Sequence, residues 1–366
     1  MGHVKSILMS GYYGFDNSGD DAILKAIVKD LKELDKNLNI TVLSNNPAKT
    51  ESMYPVKAVN RFKSKEVLSA VKEASLLISG GGSLLQDITS TRSLLYYLAV
   101  MTLAKIFKKP VMVYANGIGP INKKYNRILT RLILNKVDLI TLRDENSKEF
   151  LEDMRVNNKN ISVTADPVFT LEPAPKEIVD QIFIKEGIPR NKHLIGISVR
   201  EWKRADDLDK IIACTIEDIR NKYNANVVLI PMHYPEDLAI SKRISRLVKE
   251  ENCFVLENKY SVEEIMGIIK ELDIIVAMRL HALIYAATQS IPMVGLVYDP
   301  KVEGILESIG MKYMNNVESL KSEELIFNID KVWEDKEQIK KDLESQTIKL
   351  KNKALENIRL AYEKIR

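Results

Sequence analysis

The most informative stretch of the chain is Ile274-Ile275-Val276-Ala277-Met278-Arg279-Leu280-His281-Ala282. It begins with an apolar run of strand length, and a second apolar run, 282–287, follows as the start of a buried helix. An arginine and a histidine therefore lie where a strand gives way to a helix. In an open α/β sheet, ligands bind at this carboxyl edge of the strands. A fixed cation beside a titratable imidazole suits an anionic substrate that exchanges a proton.

The same alternation of short apolar runs and longer amphipathic segments extends outward along the chain. Helical periodicity is visible, for example, at 22–34, 94–107 and 206–222. Such alternation predicts parallel sheets covered by helices on both faces. The predicted strands are 6–10, 40–43, 76–79, 111–114, 139–142 and 161–164, and then 194–199, 227–230, 253–256, 274–276 and 292–295.

A polar connector, Leu-Glu-Pro-Ala-Pro-Lys at 171–176, separates the two sets of strands and marks a domain junction. We predict an α/β fold of two Rossmann-like, doubly wound domains, at 1–172 and 173–340. The charged tail, 341–366, is predicted as a helix that packs back toward the N-terminal domain. This arrangement is similar to the GT-B architecture of glycosyltransferases, in which the site lies in a cleft between the domains.

Composition excludes several classes of protein. In 366 residues, 45% are hydrophobic, but no apolar run approaches the ~20 residues of a membrane span. The apolar run 7–9 is too short for a signal peptide, so we expect a cytoplasmic protein. A net charge of +4 without a basic, aromatic stripe argues against nucleic-acid binding. Cys214 and Cys253 are predicted to be buried free thiols, not a disulfide or a zinc site.

The loop after the first predicted strand is long and polar for a simple turn. Its glycines, including Gly14, permit close backbone approach, and Asp16 and Asn17 are candidate ligand contacts. The alternative is a tight turn followed by a helix cap at Asp20 or Asp21. The Gly-x-Gly-x-x-Gly spacing of dinucleotide-binding loops is absent from this loop.

Two further glycine loops follow predicted strands of the first domain. Gly81 and Gly82 leave backbone N–H groups for phosphate or sugar oxygens, and Gln86 and Asp87 suit sugar hydroxyls. Asn116 belongs to the third loop, Tyr-Ala-Asn-Gly-Ile-Gly-Pro at 114–120. A plain packing turn is the alternative for each loop. Three polar glycine loops at one edge of a sheet nevertheless predict a binding face.

Basic side chains also follow predicted strands. Arg143, Arg200 and Lys301 each lie just after such a strand, although a surface ion pair or a solvated side chain is the plainer alternative for each. Arg279 and His281 point the same way if the local backbone is extended. They diverge by ~200° if a helix starts at once.

In these loops the sequence resembles the polysaccharide pyruvyl transferases. The resemblance is strongest to those that modify cell-wall polysaccharide for S-layer anchoring. Four motifs, in family order, carry the resemblance. They are Gly-Tyr-Tyr-Gly-Phe-Asp-Asn-Ser-Gly-Asp-Asp-Ala at 11–22, Ser-Gly-Gly-Gly-Ser-Leu-Leu-Gln-Asp at 79–87, Ala-Asn-Gly-Ile-Gly-Pro at 115–120 and Met-Arg-Leu-His-Ala at 278–282.

The resemblance implies a GT-B-like fold with an acceptor-binding N-terminal domain and a donor-binding C-terminal domain. The implied reaction transfers the pyruvyl group of phosphoenolpyruvate to two hydroxyls of one sugar, giving a cyclic ketal and phosphate. The implied acceptor is a β-linked N-acetylmannosamine of a lipid-linked glycan precursor. Such an acceptor suggests a peripheral contact with the inner face of the membrane. The lysines of the tail could make it, although a solvated helix face is the plainer interpretation.

The resemblance also suggests that Arg200, Arg279 and His281 hold or activate the donor, with Arg143 and Lys301 as further candidates. His281 is the candidate acid or base, Arg279 acts with it, and Asp16 is the candidate activator of the acceptor. Arginine forks bind carboxylate and phosphate, so we expect no metal and no cofactor. A nucleotide-sugar glycosyltransferase is the main alternative, and a lectin-like or lipid-carrier-binding scaffold is the non-enzymatic one.

Overall fold

The structure is a computed structural model that describes residues 5–88, 90–248 and 252–365. Contacts divide the described chain into two compact units. Unit 1 comprises 5–16, 20–170 and 350–365, and unit 2 comprises 17–19 and 171–349. Three residues of the first loop, Asn17, Ser18 and Gly19, thus belong to unit 2 although the residues on either side of them belong to unit 1.

Unit 1 is an α/β unit with a seven-stranded sheet. Its strands are β1 (Ser6–Tyr13), β2 (Asn39–Ser44), β3 (Lys57–Asn60), β4 (Leu76–Gly80), β5 (Val111–Asn116), β6 (Leu139–Leu142) and β7 (Ile161–Val163). Its helices are α1 (Ser18–Leu34), α2 (Pro47–Met53), α3 (Ser64–Glu73), α4 (Thr91–Ile106), α5 (Lys124–Leu134) and α6 (Glu145–Asp153). All strand pairs are parallel, in the order β3-β2-β1-β4-β5-β6-β7.

Unit 2 repeats this design with six parallel strands in the order β10-β9-β8-β11-β12-β13. The strands are β8 (His193–Ser198), β9 (Ala225–Leu229), β10 (Cys253–Val255), β11 (Ile274–Ala277), β12 (Met293–Val297) and β13 (Met314–Asn316). The helices are α7 (Lys176–Lys185), α8 (Leu208–Tyr223), α9 (Glu236–Leu247), α10 (Val262–Lys270), α11 (Leu280–Thr288), α12 (Pro300–Ser308) and α13 (Ser322–Glu334). A last helix, α14 (Lys336–Ile365), begins in unit 2 and ends in unit 1.

The predicted class, two parallel α/β domains, is confirmed. The central strands are continuous apolar runs because both faces of a parallel sheet are covered by helices; every residue of β4, β5 and β6 is buried. Two edge strands, β3 and β13, were not predicted. Their sequences, Lys-Ala-Val-Asn and Met-Asn-Asn, lack an apolar run since edge strands are only partly covered.

One prediction from composition was wrong. Both cysteines are free, but neither is fully buried: Cys253 is half-buried, and Cys214 is exposed, since Ile212, Ala213 and Ile216 supply the buried face of α8. Among the described residues, no helix has the length and hydropathy needed to cross a membrane. The tail is one long helix, α14, whose residues from 350 onward belong to unit 1.

Candidate active site

Three predicted donor-site cations follow adjacent strands of unit 2. β11 lies between β8 and β12, and the register pairs Ser198 with Ala277. Arg200 and Arg279 each lie two residues beyond this pair, so they stand at the same level of the carboxyl edge. Lys301 lies in the first turn of α12, directly after β12. The fold therefore brings these three cations to one edge of one sheet.

Arg279 is fixed by a buried carboxylate. Its Nε donates to Oδ2 of Asp237 at 2.8 Å, and its Nη2 donates to Oδ1 of the same residue. The Asp237 side chain is fully buried and also accepts from the backbone N–H groups of Met232 and His233. A two-point pair of this kind holds the guanidinium plane in one orientation. Nη1 of Arg279 has no hydrogen-bond partner within the described residues.

Arg200 lies among aromatic rings instead of carboxylates. Its guanidinium carbon is 5.5 Å from the centroid of the Tyr298 ring and 6.0 Å from that of Trp202. Lys301 Nζ is 5.6 Å from the Tyr298 ring and 3.4 Å from Oδ2 of Asp299. In the described ranges of the chain, no carboxylate lies within 4.0 Å of Arg200. Among the described residues, Arg200 thus has no carboxylate partner at the sheet edge.

His281 lies in the first turn of α11, which begins at Leu280. The helix starts at once, so the diverging alternative for Arg279 and His281 holds, and the two side chains take different neighbours. The imidazole packs directly on the backbone of Gly19: a Cβ atom there would lie 2.0 Å from Nδ1 of His281. The ring is also 6.3 Å from that of Tyr285, one turn further along the helix.

The segment 17–19 is held within unit 2 by hydrogen bonds. The Ser18 backbone N–H donates to Met232 O at 3.1 Å, and the Tyr285 hydroxyl donates to Ser18 O at 2.9 Å. Oδ1 of Asn17, a predicted acceptor contact, accepts from the backbone N–H of Gly19. Asn17 thereby closes the tight turn that brings Gly19 against His281.

The predicted acceptor loops meet at the carboxyl edge of the unit 1 sheet. β1, β4 and β5 are adjacent, and the Gly117 N–H donates to Gly82 O at 2.9 Å. Gly81 has φ +64°, and a Cβ atom there would lie 1.8 Å from Cγ2 of Ile23, so only glycine fits. The Gly81 N–H donates to Tyr114 O and is therefore used by the protein itself. The second and third glycine loops form one continuous surface.

Asp87 is used to hold the third loop. Its carboxylate accepts from the backbone N–H groups of Asn122 and Lys123 and from Nδ2 of Asn126, at 2.7 to 3.1 Å. Burial acts to raise the pKa of Asp87, but these hydrogen bonds outweigh it and lower the pKa below its usual range. Asp87 therefore stays ionised and holds the start of α5, and its chain neighbour Gln86 is half-buried.

Asp16 and Gly14 shape the first loop in unit 1. Asp16 has φ +60°, and its half-exposed carboxylate forms an ion pair with Lys49. Gly14 has φ +79°, and a Cβ atom there would lie 2.4 Å from Oγ of Ser44. Asp16, the predicted activator of the acceptor, is therefore already paired with Lys49. A substrate hydroxyl would have to share this carboxylate with Lys49 or displace the lysine.

Arg143 and Asn116 lie inside unit 1. The Arg143 side chain is only 4% exposed; its Nη1 donates to Asp166 Oδ2 at 3.1 Å, and its Nη2 donates to Ser83 Oγ at 2.9 Å. Its Nε is 3.6 Å from Oδ2 of Asp144. Asn116 is fully buried and donates from Nδ2 to a backbone carbonyl of β4. Two carboxylates thus neutralise Arg143, which ties the second glycine loop to the strand edge.

Sequence analysis missed several residues of this arrangement. Asp237 lies 42 residues from Arg279, and no local spacing indicates their pairing. Gly19 was quoted within a motif, but its contact with His281 needs the three-dimensional fold. Of the two aromatic neighbours of Arg200, Trp202 lies only two positions further along the chain and could have been expected from the sequence. In the part of the chain that the structure describes, no three His, Cys, Asp or Glu residues are grouped to hold a metal ion.

Comparisons with solved structures show the fold. HepE of Anabaena, solved in complex with UDP and glucose, superposes with a TM-score of 0.67 at 12% identity, over 98% of each chain. The UDP-GlcNAc 2-epimerase of Neisseria meningitidis, bound to UDP-GlcNAc, gives 0.68 at 15% identity, over 98% of this chain and 99% of that one. These are GT-B-type sugar-nucleotide enzymes, so the predicted GT-B-like fold is confirmed.

Sequence comparison identifies the family. The amylovoran biosynthesis protein AmsJ of Erwinia amylovora is 20% identical over 397 aligned positions, covering 92% of this chain and 94% of AmsJ. The family model described as polysaccharide pyruvyl transferase matches residues 17–300, which include the segment 17–19 and the strand edge that carries Arg200, Arg279 and His281. The chain therefore belongs to the polysaccharide pyruvyl transferase family.

Proposed function

We propose that this protein transfers the pyruvyl group of phosphoenolpyruvate to two hydroxyls of one sugar residue, forming a cyclic ketal and releasing phosphate. The single observation that carries the proposal is that, in a chain of this family, no described carboxylate lies within 4.0 Å of Arg200. The cation is unneutralised within the described residues and lies level with Arg279 at the carboxyl edge. A dianionic or trianionic donor would supply the missing countercharge.

The donor fits the cations of this edge. Phosphoenolpyruvate carries a carboxylate and a phosphate, and guanidinium groups bind both kinds of oxyanion in a forked geometry. Arg200 and Nη1 of Arg279 supply donors, Lys301 adds a positive charge, and the N-terminus of α11 favours an anion. Arg143 has two carboxylate neighbours inside unit 1, so we assign it a positioning role instead of direct contact with the donor.

The proposed reaction balances as one addition followed by one displacement. A sugar hydroxyl adds to C2 of phosphoenolpyruvate while a proton is delivered to C3, converting the methylene to a methyl group. A second hydroxyl of the same sugar then displaces phosphate from C2 and closes the ketal. His281 is our candidate for the group that delivers the proton, because imidazole exchanges protons near neutral pH. Asp16, released from Lys49, is our candidate for receiving a hydroxyl proton.

The acceptor that we propose is an amino-sugar glycan precursor carried on a lipid, with β-linked N-acetylmannosamine as the first candidate. Support comes from the resemblance of the motifs to the S-layer-anchoring members of the family and from the polysaccharide role of AmsJ. The glycine loops at the carboxyl edge of the unit 1 sheet, with Gly14, Gly81, Gly82 and Gln86, are the proposed acceptor surface. Asn116, which the sequence also offered, is fully buried and is assigned a positioning role. The Gly81 N–H, the Gly82 carbonyl and Nδ2 of Asn116 bind other groups of the protein, so we expect the acceptor to contact the rims of these loops.

The test is phosphate release from phosphoenolpyruvate in the presence of lipid-linked or aryl-linked amino-sugar disaccharides. We expect acceptor-dependent release by the unaltered protein and a loss of about 10²-fold or more in His281→Ala. His193→Ala is the matched control, because His193 is half-exposed at the first position of β8, at the opposite end of the strand from Arg200. Equal rates in the two variants would rule out His281 as the proton donor.

The alternative function is nucleotide-sugar-dependent glycosyl transfer. HepE and the S. aureus enzyme MnaA were both solved with UDP, and both share this fold at 12% and 13% identity. The same assay separates the two functions. Turnover of a uridine or guanosine diphosphate sugar, without phosphate release from phosphoenolpyruvate on any amino-sugar acceptor, would favour the alternative.

A further inference from the structure

One segment of unit 1 carries only positive charge. Residues 88–137 contain no aspartate or glutamate, but they contain nine lysines and arginines. The chain as a whole has 50 acidic residues in 366, so a segment of 50 residues would average about seven. The segment includes α4 and α5, which lie next to each other. These two helices therefore form a surface region of unit 1 with an excess of positive charge.

The outer face of α5 is apolar. Tyr125, Ile128, Leu129 and Leu132 follow the i, i+3, i+4, i+7 spacing of one helix face. Their exposed fractions are 56%, 51%, 37% and 52%, so this face lies away from the core. The opposite face of the helix packs inward through Asn126, Thr130 and Leu134. An eleven-residue helix thus presents an aliphatic and aromatic stripe to its surroundings.

Basic side chains border this stripe without acidic partners. Within the described residues, no carboxylate lies within 4.0 Å of Lys124, Arg131 or Lys136. Only Arg127 is paired, with Asp153 at 2.5 Å. An apolar stripe bordered by unneutralised lysines and arginines is the arrangement of helices that lie in the plane of a membrane interface.

A depression of about 280 Å³ adjoins the stripe. Its lining includes Ile128 together with four basic side chains and one carboxylate, that of Asp153. The basic side chains are Lys124, Arg127, Arg131 and Arg155. Because Asp153 is already paired with Arg127, the depression keeps an excess of positive charge. It is suited to the phosphate of an anionic headgroup.

The N-terminus of α4 extends the same surface. Lys123 Nζ donates to Oγ1 of Thr91 at 2.8 Å, which ties the first turn of α4 to the start of α5. Leu95 is 37% exposed on α4, and Ile88, next to Asp87, is 54% exposed. Since Asp87 binds the start of α5, Ile88 lies close to that helix as well.

We propose that this surface, α5 with the start of α4, docks unit 1 on the face of a bilayer containing anionic phospholipids. The apolar stripe would enter the interface, and the bordering lysines and arginines would contact lipid phosphates. A second copy of the chain fits less well, because a two-fold interface would place two basic faces against each other. The aliphatic side chains also favour lipid over nucleic acid, which binds aromatic platforms.

The test is co-flotation of the full chain with vesicles of phosphatidylcholine alone or mixed with phosphatidylglycerol. We expect binding only to the mixed vesicles, weakened by high salt. Lys124→Gln and Arg131→Gln should each weaken it roughly fivefold. Ile128→Ser with Leu132→Ser should weaken it by about tenfold or more, since two apolar side chains leave the interface. Phosphate release is measured separately, so failure here is distinct from failure of the proposed function.

Matched variants sharpen the test. Ile184→Ser removes an aliphatic side chain that is 80% exposed on α7 and should leave vesicle binding unchanged. Lys349→Glu with Lys353→Glu changes exposed lysines of α14 and should also have little effect. The proposal is overturned if the mixed vesicles bind no better than phosphatidylcholine alone, or if the α14 variant abolishes binding while the α5 variants retain it. It also fails if the α5 variants only convert a dimer to monomers.

Discussion

At the scale of single residues, the charge on Arg200 is the feature on which donor binding depends. Arg200→Gln removes a cation that has no carboxylate partner within the described residues. We expect the Michaelis constant for phosphoenolpyruvate to rise by about 10- to 10²-fold, because a charged hydrogen bond contributes roughly 1.5–3 kcal/mol. Steady-state phosphate release at varied phosphoenolpyruvate measures this change.

Arg204 supplies the matched control for that prediction. It lies four residues further along, its side chain is 76% exposed, and its Nη1 is 3.2 Å from Glu318. Arg204→Gln removes the same charge from the same loop but breaks only an exposed pair, so kinetics should change little. A similar rise in the Michaelis constant for both variants would mean that the loop acts through general electrostatics and that Arg200 does not contact the donor.

Gly19 gives a second prediction at this scale. Gly19→Ala places a Cβ atom within 2.0 Å of the present Nδ1 position of His281, so the imidazole must move. We expect the turnover number to fall by about 10²-fold with little loss of thermal stability, because alanine is a better helix former than glycine. Ser18→Ala, which leaves the Ser18 carbonyl to Tyr285, should stay near the unaltered rate. Undiminished turnover in Gly19→Ala would contradict a catalytic position for His281.

The sequence predicts a site residue when the residues next to it in the chain are enough to recognise it. Arg200, Arg279 and His281 directly follow apolar strands, and parallel topology alone brings such positions to one edge. The partner of Arg279 is different, since Asp237 comes from another strand-helix junction and the pairing depends on strand order β9-β8-β11. The burial of Arg143 against Asp166 was equally invisible, because two strand ends must first be placed side by side.

At the scale of secondary-structure elements, α1 is joined to the end of unit 1 through Asp30. This residue is 3% exposed, and Thr170 Oγ1 lies 2.9 Å both from its Oδ2 and from Pro167 O. The Thr170 hydroxyl donates toward both the Asp30 carboxylate and the Pro167 carbonyl. Burial raises the pKa of Asp30 to about 6, partly offset by the Thr170 hydrogen bond and by Lys29.

The raised pKa fixes the sign of a pH effect. The stabilisation from Asp30 is complete below its unfolded pKa, near 4, and is lost as the pH rises through about 6. We expect Asp30→Asn to gain up to about 3 kcal/mol relative to the unaltered protein between pH 4 and pH 7. Urea unfolding across this range measures the difference. The control is Glu33→Gln, at a 65% exposed position of the same helix. Its unfolding free energy should differ from that of the unaltered protein by nearly the same amount at every pH. If the difference for Asp30→Asn is also independent of pH, the prediction is refuted.

The more deeply a strand is buried, the more clearly the sequence predicts it. The central strands, such as β4 and β5, have uninterrupted apolar sequences because helices cover both faces. β3 and β13 are short and only partly buried, and their pairing depends on a neighbouring strand that is already in place. Helix periodicity located α1, α4 and α8, whose first residues differ by two to four positions from the pattern, since caps and not apolar faces set helix ends.

At the scale of the whole molecule, the chain does not divide at one point. Two α/β units follow from the alternation of strands and helices and from the connector at 171–176. The sequence does not indicate that Asn17–Gly19 belong to unit 2, because their place depends on contacts with Met232 and Tyr285. The last turns of α14 belong to unit 1 because they contact residues that lie far from them in the sequence. Long-range hydrogen bonds thus complete each unit with residues from outside its main segment.

Asn357 is the residue through which the end of α14 completes unit 1. It is fully buried; its Oδ1 accepts from Thr164 Oγ1 at 2.8 Å, and its Nδ2 donates to Ala165 O at 3.1 Å. Asn357→Ala leaves these buried groups without their partner, which should lower the free energy of unfolding by about 1–3 kcal/mol. Asn352→Ala changes an exposed asparagine of the same helix. It should change the free energy of unfolding by only a few tenths of a kcal/mol, on the order expected for a surface substitution. Urea titration followed by circular dichroism compares the two variants. Equal losses would show that the end of α14 contributes through its helix propensity and not through the hydrogen bonds of Asn357 with Thr164 and Ala165.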